Sequence, residues 1–155
     1  MSGDNSGDLA RQITTAVRQA AEIGTGAAIA TAIHAIRPDD LEEFFHASLD
    51  ADVDAKPVTT GLPASPGAAS GRIAMTADEA MEAGDRGEDV ILVRPETTPD
   101  DVLGMQASKG ILTCRGGMVS HAAVVARGWG IPAVVGAGEM IIEDGVARIG
   151  DLELR

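Results

Sequence analysis

Gly116-Gly117-Met118-Val119-Ser120-His121-Ala122-Ala123-Val124-Val125-Ala126-Arg127-Gly128 reads as a glycine turn, a helix cap and a short helix. Serine favours the N-cap because its hydroxyl accepts a bond from a free amide one turn in. That places His121 in the first turn. The leading amides of a helix have no partner inside it and carry partial positive charge, so they suit a phosphate. The two glycines let the chain turn sharply and leave room above the helix end. The same positive field disfavours a protonated ring and keeps a nitrogen lone pair free for attack. On these grounds His121 is a candidate to accept and donate a phosphoryl group, although a histidine beside a helix start is often only a capping or packing residue.

Outward from this stretch the chain alternates buried runs with helix signals. Upstream, Ile111-Leu112-Thr113 reads as a buried strand and Val90-Ile91-Leu92-Val93 as another, both apolar throughout and so covered on both faces. Thr98-Pro99-Asp100-Asp101 opens a helix through about Ala107, with Val102 and Met105 inward and Gly110 ending the element. Thr76 or Asp78 caps a helix over Ala77 to Ala83, and a first strand is expected over about Ala69 to Met75. Downstream, Ala122, Val125, Ala126 and Trp129 share one face of the His121 helix, and Pro132 to Gly136 is a strand. Met140-Ile141-Ile142, Ala147-Arg148-Ile149 and Leu152-Glu153-Leu154 are short strands joined by hairpin turns at Glu143-Asp144-Gly145 and Gly150-Asp151. The class is α/β.

Residues 1–7 are small and polar and are expected to form a disordered tail. Residues 8–50 read as helical, with an apolar stripe through Leu9, Ile13 and Val17 and a later face of Leu41, Phe44, Phe45 and Leu49. His34 and His46 lie here without a second ligand at metal spacing, so both read as structural. Residues 51–60 are polar and read as a linker or a surface loop. Residues 61–155 form the globular domain.

Composition narrows the function. Among 155 residues the net charge is −12, which disfavours nucleic acid or an anionic membrane as partner. Any phosphate must be handled locally. Phe44, Phe45 and Trp129 are the only aromatics, so the core is built from Ala, Val, Ile, Leu and Met. Cys114 is the single cysteine, which fits a reducing compartment. No signal segment and no spanning apolar run is present in the sequence, and a cytoplasmic location is expected.

The segment Cys114 to Gly128, followed by Gly130-Ile131-Pro132-Ala133-Val134-Val135-Gly136, resembles the phosphohistidine signature of the PEP-utilising enzymes, a family that includes pyruvate, phosphate dikinase, PEP synthase and enzyme I of the sugar phosphotransferase system. Met118, the run Ala122 to Gly128 and the earlier stretch Gly61 to Gly71 look most like the dikinase. The resemblance covers about residues 36 to 136. It implies a three-layer β/β/α swivelling domain, with a hinge at 51–60 and His121 in the place of the phosphorylated histidine. It also implies an ATP-binding domain and a PEP/pyruvate-binding domain in other chains or a longer parent, with Mg²⁺ only in those partners. No metal and no cofactor is expected on this chain apart from the covalent phosphohistidine. It would be a transferase only together with them, since the sequence shows no nucleotide loop, no carboxylate cluster for Mg²⁺ and no length for a barrel. A stand-alone phosphohistidine carrier or regulatory module is the alternative, and a non-catalytic relic a third reading.

Four neighbours are candidates to support the phosphoryl group. Ser120 reads as cap, as hydroxyl donor, or both. Gly116 and Gly117 keep the approach open or simply form a tight turn. Arg115 could neutralise charge or be an ordinary surface residue. Arg127 lies about 240° around the helix from His121 and is given a structural or docking role, whereas Lys109 and Arg94 read as docking charges or, more readily, as ordinary surface. Two positions depart from the dikinase pattern. Val119 stands where a threonine, a regulatory phosphorylation site in some members, is usual, so that mode of control is expected to be absent. Cys114 stands where a small residue such as Ala is usual and reads as a buried small hydrophobe.

Overall fold

The structure, a computed structural model, describes residues 56–154 continuously, together with Arg11, Thr14, Thr15, Arg18, His46 and Ala47. The chain divides between Val53 and Asp54. The expectations for the tail at 1–7, the apolar stripe and His34 within 8–50, and the start of the linker at 51–55 lie outside the described residues. Lys56 to Thr60 form neither helix nor strand.

The second unit runs β1 (Leu62–Ser65), β2 (Arg72–Ala74), α1 (Ala77–Asp85), β3 (Val90–Arg94), a 3-10 turn (Pro99–Asp101), α2 (Val102–Ala107), β4 (Gly110–Thr113), α3 (His121–Trp129), β5 (Ala133–Val135), β6 (Met140–Glu143), β7 (Val146–Ile149) and β8 (Leu152–Leu154). β1 to β5 make one sheet in the order β1-β5-β4-β3-β2. β2, β3, β4 and β5 are parallel, and β1 closes the edge antiparallel to β5. Parallel neighbours need crossover connections, and α1, α2 and α3 supply them in turn. The last three strands form a separate antiparallel meander, β6-β7-β8.

Strand alternation builds the layers. Successive side chains point to opposite faces of a sheet. On β3, Val90 and Leu92 join the core cluster with Ala80, Ala83, Met105, Ala122, Ala123 and Ala126 from the helices. Ile91 and Val93 instead join Met140, Ala147 and Ile149 from the meander. On β4, Ile111 faces the helices and Leu112 the meander. The parallel sheet is therefore the middle layer, with helices on one face and the meander on the other. A strand buried on both faces cannot alternate polar and apolar residues, which is why Val90 to Val93 read as one continuous run.

The local signals act as expected at most positions. Thr76 caps α1, its hydroxyl accepting from Glu79 N at 3.2 Å. Asp144 (φ 50°) and Gly145 (φ 72°) both take the left-handed conformation that a two-residue hairpin turn requires. Four expectations are corrected. The strand placed at Ala69 to Met75 shortens to Arg72–Ala74. An earlier strand, Leu62–Ser65, was not anticipated: Pro63 suits only an edge strand, and β1 is an edge. Gly110 does not end α2; it starts β4, and Ser108 is the C-cap. Trp129 is 44% exposed, so Ala122, Ala123 and Ala126 make the buried face of α3.

Small residues let the helices lie close to each other and to the sheet. A Cβ at Gly104 of α2 would stand 2.7 Å from the Ala77 Cβ of α1. Overpacking of this kind forces backbone shifts, so Gly104→Ala is expected to destabilise the fold by about 1–3 kcal/mol. Gly128→Ala, on a helix position with nothing within 4 Å, is expected to stabilise it by about 0.5 kcal/mol through lower unfolded-state entropy. Urea denaturation of the two variants beside the parent chain measures both signs.

Candidate functional site

The site is assembled at the carboxyl end of the parallel strands. β3 and β4 pair in parallel up to Arg94 and Thr113. Their pairing then continues into the loops: Cys114 N donates to Arg94 O at 3.1 Å, and Arg115 N to Pro95 O at 2.8 Å. The loop after β3, which carries Thr97, is thereby held alongside the loop after β4, which leads to His121.

The second loop turns sharply. Gly116 has φ 121°, a conformation that side chains rarely adopt. A Cβ there would also sit 3.0 Å from Ser120 Cβ and Oγ. Thr113 braces the turn from below, its buried hydroxyl donating to Arg115 O at 2.8 Å. Ser120 N donates to Gly117 O at 2.9 Å, closing the turn before the helix. Arg127, one face away from His121, reaches back to donate to Met118 O, which gives it the structural role assigned from its helix position.

Ser120 is the N-cap of α3, with Oγ accepting from Ala123 N at 3.3 Å. As acceptor in that bond it keeps its own hydroxyl hydrogen. The first bond within the helix is Val124 N to Ser120 O at 3.0 Å. The amides of His121 and Ala122 precede it and form the positive end of the helix. His121 is half-buried, its Nδ1 3.0 Å from Thr97 Oγ1. Among the described residues Nε2 makes no hydrogen bond. In the preceding turn Val119 is 90% exposed, and a Cβ built on Gly117 would meet no atom within 4 Å beyond its chain neighbours.

Of the candidates from the sequence, Gly116, Gly117, Ser120 and His121 fall in one turn. Arg115 is adjacent but exposed, and its guanidinium lies 3.5 Å from Glu96. Cys114 is half-buried and packs against the meander-side core. Burial pushes its thiol up from the ordinary value, against the opposing pull of Arg115. A scarce thiolate fits the inert role read from the sequence.

Three contributors were not anticipated. Thr97 supplies the hydroxyl facing His121. Asp101, 3% exposed, accepts from Thr98 N at 2.8 Å and Thr98 Oγ1 at 3.2 Å. Arg94, read as a surface charge, is half-buried: its Nη1 donates to Met75 O at 3.1 Å, and its Nε lies 3.1 Å from Asp101 Oδ1 at an angle outside hydrogen bonding. One signal was available. Sites in parallel sheets gather at the carboxyl ends of neighbouring strands, and Glu96-Thr97-Thr98 directly follows the run Val90 to Arg94 as the glycine turn follows Ile111 to Thr113.

Residues 86–149 match the family described as PEP-utilising enzyme, mobile domain. Among curated proteins the chain is 51% identical to the pyruvate, phosphate dikinase of Rhizobium meliloti over 112 residues, covering 72% of this chain and 12% of that protein. It is 48% identical over 128 residues to chloroplastic pyruvate, phosphate dikinase 1 of Arabidopsis thaliana, covering 80% of this chain and 13% of that one. With the Clostridium symbiosum dikinase the identity is 60% over 87 residues, or 56% and 10% of the two chains. The chain thus spans about one eighth of the length of the curated relatives it matches. Among the described residues no helix is long and apolar enough to cross a membrane.

The turn geometry sets an order of sensitivities. Ser120→Ala removes the cap and is expected to cost about 1 kcal/mol. Gly116→Ala meets Ser120 at a strained φ and is expected to cost about 1–3 kcal/mol. Gly117→Ala, facing open space, is expected to stay within about 0.5 kcal/mol of the parent. Thermal and urea unfolding of the three variants checks the ranking.

Proposed function

The chain belongs, through residues 86–149, to the mobile-domain family of the PEP-utilising enzymes, and on that premise we propose that it is the phosphoryl-carrier domain of a pyruvate, phosphate dikinase-like phosphotransferase. His121 accepts a phosphoryl group at one site and donates it at another, and both sites lie on other domains or chains. The observation that carries this reading is the pairing of His121 Nδ1 with Thr97 Oγ1 beside a capped helix end. It occupies one ring nitrogen and leaves the other without a partner among the described residues.

The proposed chemistry uses that arrangement as follows. The attacking form in this reading is the neutral ring with its proton on Nδ1, which the Thr97 hydroxyl can accept, and its lone pair on Nε2. Nε2 attacks the donor phosphorus: the N–P bond forms, the bond to the leaving oxygen breaks, and that oxygen departs with the electron pair. Nδ1 keeps its proton, so the phosphorylated ring is an imidazolium, a good leaving group for the second transfer. The acceptor oxygen then attacks phosphorus and returns the electron pair to Nε2. Charge on the transferring oxygens is stabilised by preorganised donors: the leading amides of α3 and the Ser120 hydroxyl, which the cap leaves free to donate. Arg115, whose guanidinium lies 3.5 Å from exposed Glu96, adds a positive charge at the rim. Mg²⁺ belongs to the nucleotide and PEP/pyruvate partners in this reading. No group of three or more His, Cys, Asp or Glu that could hold a metal is gathered among the described residues.

Two features support a carrier rather than a complete enzyme. The relatives are about eight times longer than the matched segment. An exposed rim of Met118, Val119 and Val124 borders the histidine, as expected where the reacting partner must come from another domain. The expected result on mixing the chain with the remaining dikinase domains and radiolabelled PEP is acid-labile label on the parent chain and none on His121→Ala. Equal label on both chains removes the proposal. Label that reaches His121 only from an unrelated donor transfers support to a stand-alone carrier or regulatory module.

A further inference from the structure

Arg127 is exposed, and its guanidinium donates to Met118 O. An arginine has no acceptor and a carbonyl no donor, so the direction of this bond is fixed. The bond crosses a long interval of chain. Arg127 lies in the last turn of α3, and its side chain runs back in the direction helical side chains lean, toward the N-terminus. There it meets the middle of the Gly117–Ser120 turn, which Ser120 N closes by donating to Gly117 O.

Little else among the described residues holds that middle. Met118 and Val119 are exposed, so packing restrains them weakly, and a Cβ at Gly117 would meet no atom within 4 Å beyond its chain neighbours. Among the described residues the bond from Arg127 is the only hydrogen bond that Met118 or Val119 makes. One motion is already blocked. Neither Met118 nor Val119 has positive φ. A half-rotation of the peptide between them would demand positive φ of Val119, whose β-branched side chain resists it. Smaller rocking of that peptide is left to Arg127 to oppose. Such rocking reaches the site directly, because Ser120 is both the last residue of the turn and the cap of α3, and His121 follows it.

We infer that Arg127 is a positioning residue for phosphoryl transfer: by holding Met118 O from the last turn of α3 it fixes the Gly117–Ser120 turn, and through Ser120 the placement of His121 and the amides beside it. The effect on transfer rests on the carrier reading; the effect on the turn does not. Displacements of about 1 Å cost up to about a hundredfold in rate, so a bond that touches neither the ring nor the phosphoryl group sets the rate of the step. A cation in the last turn also suits the negative end of the helix, and the test separates the two roles.

Arg127→Met keeps an unbranched stem and removes the donor. Backbone nitrogen NMR relaxation of the full chain, unphosphorylated, is expected to give Val119 and Ser120 of the parent order parameters of about 0.85, and below about 0.6 in Arg127→Met, with α1 and β3 unchanged. With the remaining dikinase domains and radiolabelled PEP, the variant is expected to label His121 about tenfold to a hundredfold more slowly at saturating partner, the half-saturating concentration being unchanged. Arg127→Lys restores a donor of nearly the same reach and is expected to recover most of both properties. Arg127→Gln keeps a donor too short to reach Met118 O, and it takes the place of Arg127→Met should that variant not fold.

An ordered turn in Arg127→Met, with only the last turn of α3 loosened, makes Arg127 a partner of the helix dipole and overturns the inference. A loosened turn with transfer as in the parent overturns it too. So does a variant that transfers at the parent's rate once saturated but needs more partner, since Arg127 is then a docking residue. The relaxation is read on unphosphorylated protein. A parent chain that no donor labels would therefore defeat the carrier reading while the hold of Arg127 on the turn is still decided.

Discussion

Two backbone hydrogen bonds beyond the formal ends of β3 and β4 determine how the candidate site of this domain is put together. Cys114 to Arg94 and Arg115 to Pro95 carry the strand ladder into the loops. Without them the Thr97 loop and the glycine turn would be two separate connections. With them, a hydroxyl from one loop meets an imidazole from the next. The ladder can extend only because the strands run parallel and in register, Arg94 opposite Thr113. That register is itself specified by burial on both faces, since a one-residue slip would turn Leu92 from the helices toward the meander.

The helix carrying His121 is held by the same economy of side chains. Ala122, Ala123 and Ala126 bring its axis close to the sheet. Gly116 makes room for Ser120 at the turn beneath it. Larger residues at these places would lift the helix end and move its free amides. The domain thus exchanges the apolar payload of aromatic packing for close approach. The buried area is recovered across two clusters, one on each face of the middle sheet.

Much of this was legible in the sequence because the signals are local. Continuous apolar runs announced β3 and β4, Thr76 and Ser120 announced their helices, and Asp144-Gly145 announced the hairpin. The glycine turn and His121 were legible for the same reason, all within one short stretch. What escaped was set by distant pairing. Leu62–Ser65 carries a proline and becomes a strand because β5 offers it an edge. Trp129 follows the helical period of its neighbours but stands 44% exposed as the last residue of α3. Thr97 and Asp101 are separated from His121 by more than a strand and a helix, and the one signal for Thr97, its place just after the run Val90 to Arg94, points to a strand end but names no partner. Arg94 looked like a surface charge because its two contacts, Met75 O and Asp101, are both remote in sequence or across a turn.

The outlying position of Trp129 has a practical side. The chain contains one tryptophan and no tyrosine, and that indole stands 44% exposed at the far end of the helix that begins with His121. Ultraviolet emission from the whole polypeptide therefore originates at a single, partly wetted fluorophore carried on the same helix as the His121 ring. Any body that shields this helix along its length registers as a change in colour or intensity, without a dye or an engineered label.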